Sequence, residues 1–171
     1  MTVFFLRLNP LDRTKAMLEG GGLKLRCAIG RSGVITRKRE GDGGTPRATL
    51  TPLRIYVRRD EWRSRGFDLP SYAIQGDMGW CDDVTSSRYN RLIRRPFVLS
   101  HERLWREDRL YDIVIETDWN AQPAIRGLGS AIFIHLARPG LKPTEGCIAL
   151  SRKDMGLFLT CLNRRTKIII A

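Results

Sequence analysis

No apolar run in these 171 residues is long enough to cross a bilayer as a helix. Cysteine is sparse and scattered: Cys27, Cys81, Cys147 and Cys161 form no Cys-x-x-Cys pair, and the only imidazoles are His101 and His135. That set is too thin for a structural zinc site, so no metal and no cofactor is expected, and nothing demands a disulfide. Cys27 and Cys161 lie in apolar patterns and read as buried small hydrophobes. There is no phosphate-cradling Gly-x-x-x-x-Gly-Lys-Ser/Thr loop, no internal repeat, no low-complexity tract and no linker. Acidic residues are few: 18 against 30 basic ones, for a net charge of +12. Such an excess favours an anionic partner, whether nucleic acid, anionic lipid or an acidic polymer. Arginine outnumbers lysine 24 to 6, which codon usage in a GC-rich genome explains as well as selection for binding does. The basic residues occur only as short pairs, with no basic tail, so nucleic acid is not an expected partner.

What remains is an ordinary globular composition and a length suited to one domain spanning 1–171. The opening Thr2–Leu8 reads as a strand. It lacks the basic flank, length and cleavage site of a signal peptide. The expectation is therefore that the protein avoids the usual export route or that a targeting segment is missing from this chain. Leu23–Ile29, Val34–Thr36, Ala48–Arg58 (broken by Pro52), Asp112–Glu116, Ser130–Leu136 and Lys167–Ala171 read as further strands. Lys38–Pro46 is a glycine loop in which Asp42 fixes a turn. Arg59–Pro96 reads as irregular, and a segment of that length points to a substrate surface. Ser100–Arg106 reads as a short helix or turn. Ser151 opens a helix with Asp154 as its capping-box acid and Met155, Phe158, Leu159 and Leu162 on the apolar face. The fold class is mainly β with few helices.

Chemistry concentrates at the C-terminal end. The apolar strand in Ser130-Ala-Ile-Phe-Ile-His135 delivers a histidine, and a turn-rich loop then delivers Thr144-Glu-Gly-Cys147. A thiol nucleophile needs a base for its proton, and His135 is placed to be one. Gly146 leaves backbone N–H groups open to a developing oxyanion. The competing reading makes Cys147 a core thiol and His135 a satisfied strand-edge histidine.

The Thr-x-Gly-Cys segment behind a strand ending in His resembles the catalytic segment of the L,D-transpeptidases, the YkuD-type domain. Glu40-Gly-Asp-Gly-Gly-Thr-Pro46 resembles that family's Thr-Pro loop. Arg106-Glu-Asp-Arg-Leu-Tyr-Asp-Ile-Val114 and Gly129-Ser-Ala-Ile-Phe-Ile-His135 resemble strands of a proteobacterial branch. The resemblance implies a mixed β-sandwich or open barrel with one helix packed after the cysteine segment. It implies that Cys147 attacks the carbonyl of an L-centre in a peptidoglycan stem peptide, usually diaminopimelate. His135 then moves the proton, N–H groups of Gly146 and Cys147 hold the oxyanion, and the thioester passes to an amine of a second stem peptide. With water as acceptor the same site is an L,D-carboxypeptidase. The family implies the periplasm or cell envelope; the missing signal peptide leaves a cytoplasmic carboxypeptidase as the alternative. A basic nucleic-acid-binding module is the remote one.

Three departures stand out. Glu145 replaces the usual His before Gly146, Ala149 replaces the Arg or Asn two after Cys147, and the loop from His135 to Thr144 is short. Arg138, Arg47 or Lys38 is expected to supply the missing cation for a stem-peptide carboxylate. Glu145 either orients His135, binds the acceptor ammonium, or is an exposed loop acid. Thr144 is a further candidate substrate contact. His101 and Glu102 are candidates against a surface-turn reading. Trp80, Asp82 and Asp83 either line a cleft and meet a diaminopimelate ammonium or merely form a turn.

Overall fold

The computed structural model describes residues 2–62 and 66–171. Three strands open the chain: β1 (Val3–Asn9), β2 (Asp12–Gly20) and β3 (Leu23–Ala28). Short strands β4 (Val34–Ile35) and β5 (Thr45–Pro46) pair in parallel around the glycine loop, followed by β6 (Thr49–Leu50) and β7 (Pro52–Val57). Next come β8 (Ser71–Ala73), β9 (Met78–Cys81), β10 (Leu92–Arg94) and β11 (His101–Arg103). The last group is β12 (Ile113–Thr117), β13 (Phe133–Leu136), β14 (Ile148–Leu150), helix α1 (Arg152–Cys161) and β15 (Lys167–Ile170).

Ten strands form one mixed, open sheet in the order β6-β15-β1-β2-β3-β14-β13-β12-β7-β8, and β10-β9-β11 form a small second sheet. The mostly β architecture with one helix matches the expected sandwich-like class, and the sheet does not close into a barrel. Its central strands β12, β13 and β14 are buried along their whole length and largely apolar because both faces are covered. Ile113 and Ile115, Ile134 and Leu136, and Ile148 and Leu150 face the main core with Met155 and Phe158 of α1. Val114, Phe133 and Tyr56 face the other way, against Met78, Trp80, Leu104, Tyr111 and Cys147. Period-2 alternation thus sends His135 and Cys147 to the second face. Ser151 caps α1, its Oγ accepting from the Asp154 N–H at 3.0 Å as the capping pattern requires.

Four expectations need correction. Asp12–Gly20 is a strand that was not anticipated; its polar side chains hide an inward row at Ala16 and Leu18. The stretch 59–96 contains β8, β9 and β10, with residues 63–65 outside the described ones. His101–Arg103 is a strand, not a helix or turn, because β9 supplies its partner. Cys161 is only half-buried, whereas Cys27 is fully buried; all four cysteines are free thiols.

Candidate active site

β13 and β14 run parallel, pairing Ile134 with Ile148 and His135 with Ala149. Cys147 lies one residue before that ladder, on the face shared by Phe133, His135 and Ala149, so thiol and imidazole are diagonal neighbours. Both line a cavity of about 1140 Å³. The Thr-Pro loop fixes the cysteine from below: the buried Thr45 hydroxyl donates to the Gly146 carbonyl at 2.8 Å and accepts from Gly30 N–H at 2.9 Å. Gly146 has φ +136°, and a Cβ there would stand 2.8 Å from the Gly44 carbonyl. Only glycine permits that close approach.

The thiol is held on two sides. Sγ–H donates to the Ala131 carbonyl at 3.0 Å, and Phe133 N–H donates to Sγ at 3.3 Å. Ala131 is left-handed at φ +51°, and its N–H donates to Asn90 Oδ1 at 3.0 Å. That oxygen also accepts from Trp80 Nε1–H at 2.9 Å, while Asn90 Nδ2 donates to the carbonyls of Trp119 and Asn120. The buried Asn90 thereby uses its full hydrogen-bonding capacity to hold the segment that holds the thiol.

His135 Nδ1 lies 2.8 Å from the Leu136 carbonyl. A carbonyl only accepts, so Nδ1 carries the ring proton and Nε2 is left as the basic nitrogen. Tyr111 packs edge-on against the ring at 5.0 Å. Cys147 and His135 are 8% and 6% exposed, and this burial sets their ionisation. It pulls the imidazole down to about 4. Burial, then the charge of Glu102, pushes the thiol up to about 12. The resting pair is therefore a neutral thiol beside a neutral imidazole.

The structure brings some of the other candidates to this cavity and not others. His101, Glu102, Asp82, Arg138, Thr144 and Glu145 line it. The Thr144 hydroxyl is engaged with backbone: it donates to the Cys147 carbonyl at 2.6 Å and accepts from Gly146 N–H at 3.1 Å. That engagement takes up the Gly146 donor expected at the oxyanion, leaving the amide of Cys147 as the candidate. Glu145 is exposed and pairs with Arg31 at 2.8 Å, so it does not orient His135. Trp80 is core rather than cleft, stacked edge-on against Phe133 at 5.0 Å. Asp83 accepts from Thr85 and is a turn former outside the cavity lining. Arg47 is exposed and away from the cavity lining. Lys38 is buried and held by Asp42 at 2.6 Å, which excludes it as a substrate contact in this arrangement.

Sequence reasoning missed Arg106 and Tyr111, both on the cavity wall. Tyr111 donates to Glu102 at 2.8 Å, and Arg106 lies over the Tyr111 ring at 5.1 Å while pairing with Asp108. Burial pushes the Glu102 carboxyl above its ordinary range, against the pull of Tyr111 and Arg106. Their signal was present, since both belong to the Arg106–Val114 motif. No cluster of three or more His, Cys, Asp or Glu suited to a metal occurs among the described residues.

A family model described as the L,D-transpeptidase catalytic domain, YkuD, matches residues 7–170. No match to the chain was found among curated proteins or among solved structures.

Proposed function

Because the chain belongs to the YkuD L,D-transpeptidase catalytic-domain family of peptidoglycan-modifying enzymes, we propose that Cys147 is the nucleophile and His135 the base of an acyl transfer between stem peptides. The observation that carries this reading is the placement of thiol and imidazole on one sheet face at one cavity, with Nδ1 tied to Leu136 and Nε2 free to accept.

The thiol first turns away from the Ala131 carbonyl toward the bound peptide. As Sγ attacks the carbonyl carbon of an L-centre, its proton passes to His135 Nε2. Proton transfer accompanies attack because a free thiolate is disfavoured at this depth. The Cys147 N–H stabilises the oxyanion. The intermediate collapses to a thioester, and the imidazolium protonates the departing amine. An amine of a second stem peptide then attacks the thioester and gives its proton to His135. The thiol leaves, reprotonated, and a new amide joins the two stems. On this reading the enzyme works in the cell envelope, where the polymer lies.

Incubating the protein with disaccharide-peptides and reading the products by mass spectrometry tests the proposal. Cross-linked dimers are expected, and Cys147→Ala is expected to make none. Loss of a terminal residue without dimers would reassign the acceptor to water and make the enzyme a carboxypeptidase. Unchanged products from Cys147→Ala would refute the nucleophile.

A further inference from the structure

A second cavity, of about 680 Å³, adjoins the first. The β1–β2 hairpin, β3, the 137–141 loop behind His135 and the start of α1 form its walls. Five of its lining side chains are cationic, Arg7, Lys15, Arg26, Arg138 and Arg152, and none is acidic. Three of them are offset by acids outside the lining: Arg7 by Glu19 at 3.9 Å, Lys15 by Asp12 at 3.2 Å, and Arg152 by Asp112 at 2.9 Å. Arg26 and Arg138 form no salt bridge among the described residues, and both are exposed. Among the described residues Arg26 forms no ion pair and Arg138 feels only the longer-range charge of Asp108, so an anion entering this concavity meets cationic charge that no acid in its lining offsets.

Two further features point the same way. The N-terminus of α1, at Ser151 and Arg152, opens on this cavity, and the positive end of a helix favours negative charge. Arg138 lines both cavities. The two cavities thus meet at Arg138, on the 137–141 loop. An extended ligand with its reacting carbonyl at Cys147 can reach the basic one.

We propose that the basic cavity is a subsite for free carboxylates of the peptide substrate, held by Arg26 and Arg138. The proposal rests on the peptidoglycan reading above. A stem peptide carries several free carboxylates, and guanidinium matches a carboxylate with two parallel hydrogen bonds. Occupation from the catalytic side makes the anion part of the reacting molecule rather than a separate phosphate.

Equilibrium binding to the Cys147→Ala protein provides the test, with a stem tetrapeptide and its carboxamide counterpart as probes. The acid form is expected to bind about tenfold tighter at low salt, a preference that narrows as salt is added. Arg26→Glu should remove that preference while leaving carboxamide binding little changed, and Arg26→Lys should restore part of it. A thermal melt checks that each variant is folded. If both peptides bind and Arg26→Glu changes neither affinity, the subsite is refuted while the substrate reading survives. If neither peptide binds any variant, both fail. If tripolyphosphate binds more tightly than the acid peptide and Arg26→Glu abolishes that binding, the carboxylate assignment is overturned.

Discussion

Burial moves the pKa of His135 and that of Cys147 in opposite directions, and both shifts favour the neutral form. The consequence for rate is a flat profile across neutral pH. The acid limb of kcat/KM is expected near pH 4, where the free enzyme's imidazole gains its proton, rather than near its ordinary value of 6.5. A limb near 6.5 would show that the ring is solvated before substrate arrives. The consequence for stability has a definite sign. Above pH 6.5 His135 is neutral in both folded and unfolded chains and contributes no pH dependence. Below it the unfolded chain takes up a proton that the folded one refuses until about pH 4, so stability falls across that window by about 3 kcal/mol. Denaturant titrations at pH 7 and pH 4 should show a smaller loss for His135→Asn than for wild type. At this scale the motif residues were legible because their chemistry is local: a strand end, a glycine and a thiol. Trp80, Arg47 and Lys38 were not, because residue type does not say which way a side chain points. Trp80 faces the core because the small sheet lays that side of β9 against Tyr56 and Phe133 of the large one.

Elements were legible in proportion to how continuously apolar they are. β1, β3, β12, β13, β15 and α1 carry runs or periodic stripes of buried side chains and read correctly as types. β2 and β11 are rich in charge, and their strand character comes from the strands they pair with, β1 and β3 for β2 and β9 for β11, rather than from their own sequence pattern. The same dependence governs the approach to β13. Ser130, Ala131 and Ile132 were expected to belong to that strand, yet the strand begins at Phe133 and Ala131 is left-handed. Asn90, itself left-handed at φ +54°, holds the bend from the turn between β9 and β10. Asn90→Leu would strand Trp80 Nε1–H, Ala131 N–H and two carbonyls, and would put an unsuited side chain at positive φ. A loss of at least about 2 kcal/mol in denaturant titration is expected. Iodoacetamide should also alkylate Cys147 at a changed rate in the folded variant, because the Ala131 carbonyl no longer holds the thiol. An unchanged rate would reduce Asn90 to a purely structural role.

At the scale of the whole molecule, the sheet makes the site depend on both ends of the chain. β1 pairs with β15 in parallel, and β14 and β13 lie in the interior of the same sheet, between β3 and β12. One face of β13 and β14 therefore shares its core with the end of the chain, since Ile168 of β15 and Ile134 of β13 bury their side chains in one cluster with Phe158. Such long-range pairing forms slowly but couples distant segments once formed. The expectation that 1–171 is one domain becomes a measurable statement about cooperativity. In a urea series, protection of Cys147 from alkylation, far-UV circular dichroism and tryptophan fluorescence should report the same midpoint. Ile168→Ala, fully buried in β15 and outside the catalytic cavity lining, should lower all three midpoints together, at a cost of about 2–5 kcal/mol. Loss of Cys147 protection well before the spectroscopic transitions would show that the β13–β14 region unfolds as its own unit, and the single-domain description would fail.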